Sequence, residues 1–244
     1  MSATNRGAAR IEADHYPTPP WVTRRLLESG ALPGGSTSWL EPCAGEGAIV
    51  REVLNWYNSP GALNVWANEL RPECREPLAR LVGDENVTIS DFLSWDNVVA
   101  DVIITNPPFS IAEAVVRKAL SARSTDVTVA PYVAVLVRQG FVGHARAEWM
   151  RCNMPDTYEL PDRPSFAASL RCSCGWKAMQ PLEAPRPRYC PSCGPASRVR
   201  TTTSDAADYC WLVWGPRRGR SAGKRVILPS TPLEERRLRQ GATP

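Results

Sequence analysis

The tetrapeptide Asn106-Pro107-Pro108-Phe109 carries the most specific chemistry in this chain. An apolar run, Val102-Ile-Ile-Thr105, leads into it, and two consecutive prolines then end any strand, because proline lacks the ladder donor and fixes φ. Asn106 is thereby held at a strand end. Its amide oxygen and the Pro107 carbonyl can both accept from one –NH2 group, drawing that nitrogen's lone pair out of conjugation. Phe109 offers a flat apolar face to the planar group that bears the amine. Asn-Pro also starts ordinary turns, but here it falls at the edge of the sheet where a ligand is expected.

A second constellation is Glu41-Pro-Cys-Ala-Gly-Glu-Gly47. Gly45 and Gly47 permit a sharp strand-to-helix turn and close approach of the backbone to a ligand. The pattern is not G-x-G-x-x-G and no lysine follows, which excludes a phosphate-binding P-loop. Glu69, at the end of the next strand, is placed to reach ribose hydroxyls. Asp91, at a third strand end beside Phe92, suits an exocyclic amine and a purine face. Each could be a solvated strand end, but three together point to a nucleoside cofactor.

The third constellation is cysteine. Of eight cysteines, Cys172, Cys174, Cys190 and Cys193 fall within 22 residues. Cys190-Pro-Ser-Cys193-Gly194 has zinc-knuckle spacing, with glycine freeing the turn behind the thiolates. Its partner half, Cys172-Ser-Cys174-Gly, is one residue short of the common spacing. A zinc site of these four is expected; free structural cysteines, or a site borrowing Cys152 or Cys210, are the alternatives. Arg171, Lys177, Arg186, Arg188, Arg198 and Arg200, with Trp176 and Tyr189, surround the cluster and suit phosphates and bases. Arg217, Arg218, Arg220, Lys224 and Arg225 could add phosphate contacts.

These residues need a scaffold, and the rest of the chain supplies its pattern. With 43% hydrophobic and 22% charged residues, the 244-residue chain can bury a core, which excludes wholesale disorder. A helix is expected to start near Pro19-Pro20 and run through Glu28, ended by Gly30 and by Gly34-Gly35. Strand-like stretches follow at 37–41, 63–70, 86–90, 100–105 and 133–137, alternating with helical ones at 47–57, 73–82 and 111–122. A weaker helix near 145–152 and a late apolar strand at 209–214 complete the pattern. Alternation at this spacing predicts an α/β fold, a mostly parallel sheet with helices on both faces, whose ligands bind at the carboxyl strand ends. Residues 171–225 hold 11 Lys+Arg against 3 Asp+Glu, whereas the remainder is net acidic. A basic insert on an acidic body points to one surface that meets a polyanion. No apolar run is long enough to span a membrane, and residues 1–10 lack a signal peptide's apolar segment, so a cytoplasmic protein is expected.

Together, Asn106-Pro-Pro-Phe109 and Glu41-Pro-Cys-Ala-Gly-Glu-Gly47 resemble the catalytic and cofactor motifs of S-adenosylmethionine-dependent DNA adenine-N6 methyltransferases. Asp14-His-Tyr-Pro-Thr-Pro-Pro20 is similar to that family's N-terminal motif. The chain order resembles the compact enzymes carried by phages and prophages. These also tend to have segments like Leu136-Val-Arg-Gln-Gly-Phe-Val142, Arg163-Pro-Ser-Phe166 and Asp205 to Trp214. The resemblance covers roughly 14–166 and 204–215.

It implies a Rossmann-like class I methyltransferase domain (15–166 and 204–230), interrupted by a zinc-ribbon-like insertion (167–203) and flanked by a flexible tail (1–14) and a charged one (231–244). It also implies that Tyr16, Thr18, Glu41, Ala44 and Gly45 shape the methionine pocket, that Glu69 holds the ribose, and that Asp91 and Phe92 hold the adenine. Asn106 and Pro107 would bind the target amine, and Phe109 would stack on a base extruded from the duplex. Position 43 is Cys where many relatives carry Ser, Ala or Phe, a change of packing. The expected ligands are S-adenosylmethionine, structural Zn2+ and double-stranded DNA, with no membrane partner, in a monomer or weak dimer. An RNA adenine or a protein glutamine as acceptor, or a non-catalytic zinc-dependent DNA-binding protein, are the competing readings.

Overall fold

The computed structural model describes residues 17–34, 37–57, 63–126, 130–143, 147–181, 187–202, 207–216 and 223–230. Tyr16, Arg186, the 217–220 basic stretch and both expected tails lie outside them. The chain enters through α1 (Pro20–Glu28), with proline in its first turn, where a missing N–H costs nothing. There follow β1 (Thr37–Glu41), α2 (Ala48–Tyr57), β2 (Leu63–Glu69), α3 (Arg75–Val82), β3 (Val87–Ile89), β4 (Val102–Thr105), α4 (Ala112–Leu120), β5 (Tyr132–Arg138) and α5 (Ala147–Cys152). Beyond them come β6 (Asp156–Glu159), β7 (Ala167–Arg171), β8 (Lys177–Pro181), β9 (Tyr189–Cys190), β10 (Gly194–Arg198), β11 (Arg200–Thr202), β12 (Tyr209–Trp214) and β13 (Arg225–Ile227).

Eight strands form one sheet in the order β13-β6-β12-β5-β4-β1-β2-β3. From β3 to β5 all pairings are parallel. β12 then runs antiparallel between β5 and β6, and β13 pairs parallel to β6. The chain winds outward through β1, β2 and β3, then returns to the other side of β1 as β4. That reversal opens a crevice at the carboxyl ends of β1 and β4, where open α/β sheets bind ligands.

Residue alternation along the strands sorts the core into two layers. Trp39, Val65, Val102, Ile104, Leu136 and Trp211 face α1, α2 and α3. Their neighbours Leu40, Ile103, Val133, Val135 and Leu212 face α4 and Met150 of α5. Adjacent residues thus go to opposite faces, as the pleat requires. The buried Trp211 donates its indole N–H to the Val22 carbonyl at 3.0 Å, fixing α1 against β12.

The remaining strands lie between β6 and β12 in the chain. β7, β8 and β11 form a three-stranded sheet, and β9 with β10 a two-stranded one. β6 and β13 were not legible as strands. Each is short and lies at or next to the sheet edge, and Tyr158 is the single buried residue on β6. Among the described residues, no helix is long and apolar enough to cross a membrane.

Candidate active site and thiol cluster

The crevice is a cleft of about 510 Å³, open to solvent. Four segments converge on it: Pro17 and Thr18 ahead of α1, Glu41 to Gly45 after β1, Glu69 and Arg71 at the end of β2, and Asn106 with Pro108 after β4. Of the expected cofactor residues, Thr18, Glu41, Ala44, Gly45 and Glu69 therefore meet here, together with Asn106. Asp91 and Phe92 do not line the cleft. The Asp91 carboxylate caps a short 3-10 turn by accepting from the Leu93 N–H at 2.9 Å. Phe92 is buried in the α4-side layer, edge-on to Trp95.

The turn after β1 is built from left-handed glycines, Gly45 at φ 56° and Gly47 at φ 83°. A side chain at 47 would set its Cβ 2.4 Å from Leu81 Cδ1, so the turn also depends on α3 passing close by. Asn68, fully buried on β2, ties three strand ends together by donating to the carbonyls of Pro42 (3.0 Å) and Ser90 (3.1 Å). Its own carbonyl accepts from the Ala44 N–H at 2.8 Å. Glu69 is held just as firmly: Oε2 accepts from the Gly45 N–H at 2.7 Å, and Oε1 from Arg71 Nε at 3.0 Å. Sequence reasoning missed Asn68 and Arg71; the only signal was their position flanking an acidic strand end.

Glu41 is 3% exposed and accepts from the Val50 N–H at 3.2 Å. Burial raises its carboxyl well above the usual range; the Val50 N–H opposes that, and nearby Glu69 adds to it. Burial likewise pushes the Cys43 thiol up to about 12. A neutral thiol is a poor nucleophile, which leaves Cys43 a packing residue of the cleft wall.

Asn106 Nδ2 donates to Thr18 Oγ1 at 3.0 Å. The amide is thereby oriented, and no described residue donates to its Oδ1. Pro107 is buried behind it. Phe109 is half-buried outside this cleft, its ring 6.0 Å from that of Tyr209 and capped at 4.4 Å by the Arg138 guanidinium. Arg138 is a further residue that spacing alone did not single out as part of the site.

The four clustered cysteines occupy two hairpin turns, one between β7 and β8, the other between β9 and β10. Gly175 (φ 93°) and Gly194 (φ 72°) give each turn its left-handed residue. All four sulfurs lie within 4.8 Å of one another. Cys172 to Cys193 is 3.9 Å and Cys174 to Cys190 is 3.7 Å. Four thiolates about 2.3 Å from a tetrahedral zinc would stand about 3.8 Å apart, so the donor set fits that ion. Cys152 is exposed and Cys210 is buried in the main sheet, and neither joins the cluster.

The strand order, the glycine turn after β1 and the cleft at the switch point define a class I S-adenosylmethionine-dependent methyltransferase fold. Solved structures share it. A methyltransferase subunit of a type I restriction-modification system from Streptococcus thermophilus matches with TM-score 0.54 at 12% identity, over 94% of this chain and 54% of its own. A proposed class I S-adenosylmethionine-dependent methyltransferase from Listeria monocytogenes matches with TM-score 0.53 at 14% identity, over 90% of this chain and 68% of that one. A proposed RNA methyltransferase from Pyrococcus horikoshii matches with TM-score 0.50 at 13% identity, over 86% of this chain and 93% of that one. At these identities the likeness is one of fold. No protein-family model and no curated protein matches the sequence.

Proposed function

We propose that this protein transfers a methyl group from S-adenosylmethionine to the N6 amine of adenine in double-stranded DNA. The observation that carries this reading is the orientation of Asn106. Thr18 Oγ1 accepts from its Nδ2, which leaves Oδ1 as an acceptor beside the cleft, three residues before the aromatic ring of Phe109. When bound, S-adenosylmethionine supplies an electrophilic sulfonium methyl. Thr18, Glu41, Ala44, Gly45 and Glu69 would hold it, Glu69 exchanging part of its present hydrogen bonding for ribose hydroxyls. Asn106 Oδ1 and the Pro107 carbonyl would accept both hydrogens of the target amine, keeping its lone pair out of the ring and aimed at the methyl. The contribution is positioning: the C–S bond breaks as the C–N bond forms, S-adenosylhomocysteine leaves, and the proton made acidic on the methylated nitrogen passes to solvent, with no separate general base.

In this reading, residues 15–166 and 204–230 carry out transfer, while 167–203 is a zinc-stabilised insertion that docks DNA. Arg171 and Arg200 are directly opposed across β7 and β11, and Arg198 opposes Tyr189 across β9 and β10. Arg171, Arg188, Arg198 and Arg200 are all exposed, and none forms an ion pair with a described residue. Like charges facing each other across a sheet cost stability, a cost that a phosphate lying over the pair removes. The strand-to-strand arginine pairing therefore supports a polyanion as the partner.

The test is to incubate the protein with methyl-labelled S-adenosylmethionine and duplex DNA, RNA or protein extract, then to digest and identify the labelled product. N6-methyladenine in DNA is expected. Label confined to RNA or to protein would replace the acceptor assignment. Asn106→Ala should abolish transfer with cofactor binding retained; full activity in that variant would refute its role.

A further inference from the structure

Phe109 is gripped from the side of the sheet that the cofactor cleft does not use. β5 lies beside β4 on the side away from β1, with β12 beyond it. Arg138 ends β5, Tyr209 begins β12, and the two are cross-strand partners. The Arg138 guanidinium carbon is 4.4 Å from the Phe109 ring centroid, while Arg138 Nε donates to Tyr209 Oη at 3.2 Å. Tyr209 is 1% exposed and is itself wedged by Phe166, edge-on at 5.0 Å. None of these four side chains lines the cofactor cleft.

We infer that Arg138 is a positioning residue for the acceptor base: held by buried Tyr209, it covers one face of the Phe109 ring and leaves the opposite face as the stacking platform. The inference rests on the methyltransferase reading above. A half-buried phenylalanine just after two prolines has a fixed backbone but a ring free to rock about its two side-chain torsions. A planar guanidinium removes that freedom. It stacks on the ring through its face and donates from its edge, so one side chain joins Phe109 to the rigid Tyr209–Phe166 pair. Lysine offers a point charge and cannot make both contacts with one plane. The cation also draws π density toward its own side, which suits the other face to an electron-rich purine.

The experiment uses the full chain, whose four phenylalanines give four signals when labelled with 4-fluorophenylalanine. Phe109 is assigned by its loss in Phe109→Leu. In Arg138→Met the Phe109 fluorine signal should move, while those of Phe92 and Phe141, in the opposite core layer, stay in place. With DNA as acceptor, KM should rise about tenfold in Arg138→Met, with S-adenosylmethionine affinity unchanged and a smaller effect on kcat. Tyr209→Phe, which removes only the hydroxyl, should shift KM in the same direction by less, and Arg138→Lys should not restore it. A stationary Phe109 signal overturns the inference, and so does a KM within twofold of wild type in both Arg138→Met and Tyr209→Phe. Absence of any transfer by the wild-type protein to DNA, RNA or protein sinks the underlying methyltransferase reading instead.

Discussion

In the proposed function, Glu41 sits at the junction of stability and ligand binding. A buried carboxyl whose folded pKa is raised binds more protons in the native than in the unfolded state. Its stabilising contribution is therefore present below the unfolded value of about 4.3 and is lost as pH rises toward the folded one. Above that window the protein carries a buried carboxylate with one backbone hydrogen bond. Glu41→Gln should consequently raise the thermal midpoint at neutral pH, because the amide needs no ionisation. The same change should weaken binding of the cationic cofactor and flatten its pH dependence, whereas wild-type affinity increases as Glu41 ionises. Calorimetric titration across pH checks both; a variant that binds as wild type does would remove Glu41 from the cofactor site.

At the level of elements, the site is an arrangement of strand ends rather than of any one motif. The β1–α2 turn is pinned from two directions: by Asn68 and Glu69 on β2 through hydrogen bonds, and by Leu78 and Leu81 on α3 through packing. Gly47→Ala tests that arrangement. The new methyl would lie 2.4 Å from Leu81 Cδ1, on a backbone at φ 83°. The cost should be roughly 1–3 kcal/mol for a non-glycine residue held there, with Leu81 displaced as well. Urea denaturation should show a lower midpoint at unchanged m-value, and cofactor affinity should fall with it. Asp101 does comparable work at the other end of the sheet. Burial raises its carboxyl, but hydrogen bonds from Ser124, the Ser38 N–H and Thr125 together outweigh that and hold it at about 2. Its contribution is complete above the unfolded value of about 3.9 and is lost as pH falls toward 2.

For the molecule as a whole, charge and cysteine are segregated together. Residues 167–202 carry the four-thiol cluster and exposed arginines that pair with no acid among the described residues, while the large sheet carries the cleft with Glu41 and Glu69. The strands between 167 and 202 make two small sheets whose main internal staple is the sulfur cluster. Segments that small bury too little to fold alone, so a bound metal would supply their stability. Cys190→Ser with Cys193→Ser should lose one zinc by metal analysis. The double variant should bind S-adenosylmethionine as wild type does but hold duplex DNA more weakly, with a shallower salt dependence. Undiminished zinc in that protein would refute the four-thiol site.

Much of this was written in local sequence. The prolines after Thr105, the glycines at 45 and 47 and the knuckle glycines act on their own backbone, so their turns could be read without knowing any neighbour. Apolar alternation, for the same reason, located the five parallel strands and β12. What tertiary structure alone decided were contacts between residues far apart in the chain. Thr18 orients Asn106 across 88 positions, Tyr209 holds Arg138 across 71, and Trp211 meets Val22 across 189. It also placed Asp91 in a capping bond and Phe92 in the core, details that strand-end position alone did not give. A residue type and its spacing state which bonds a side chain can make. Which of them it makes depends on what the folded chain brings within reach.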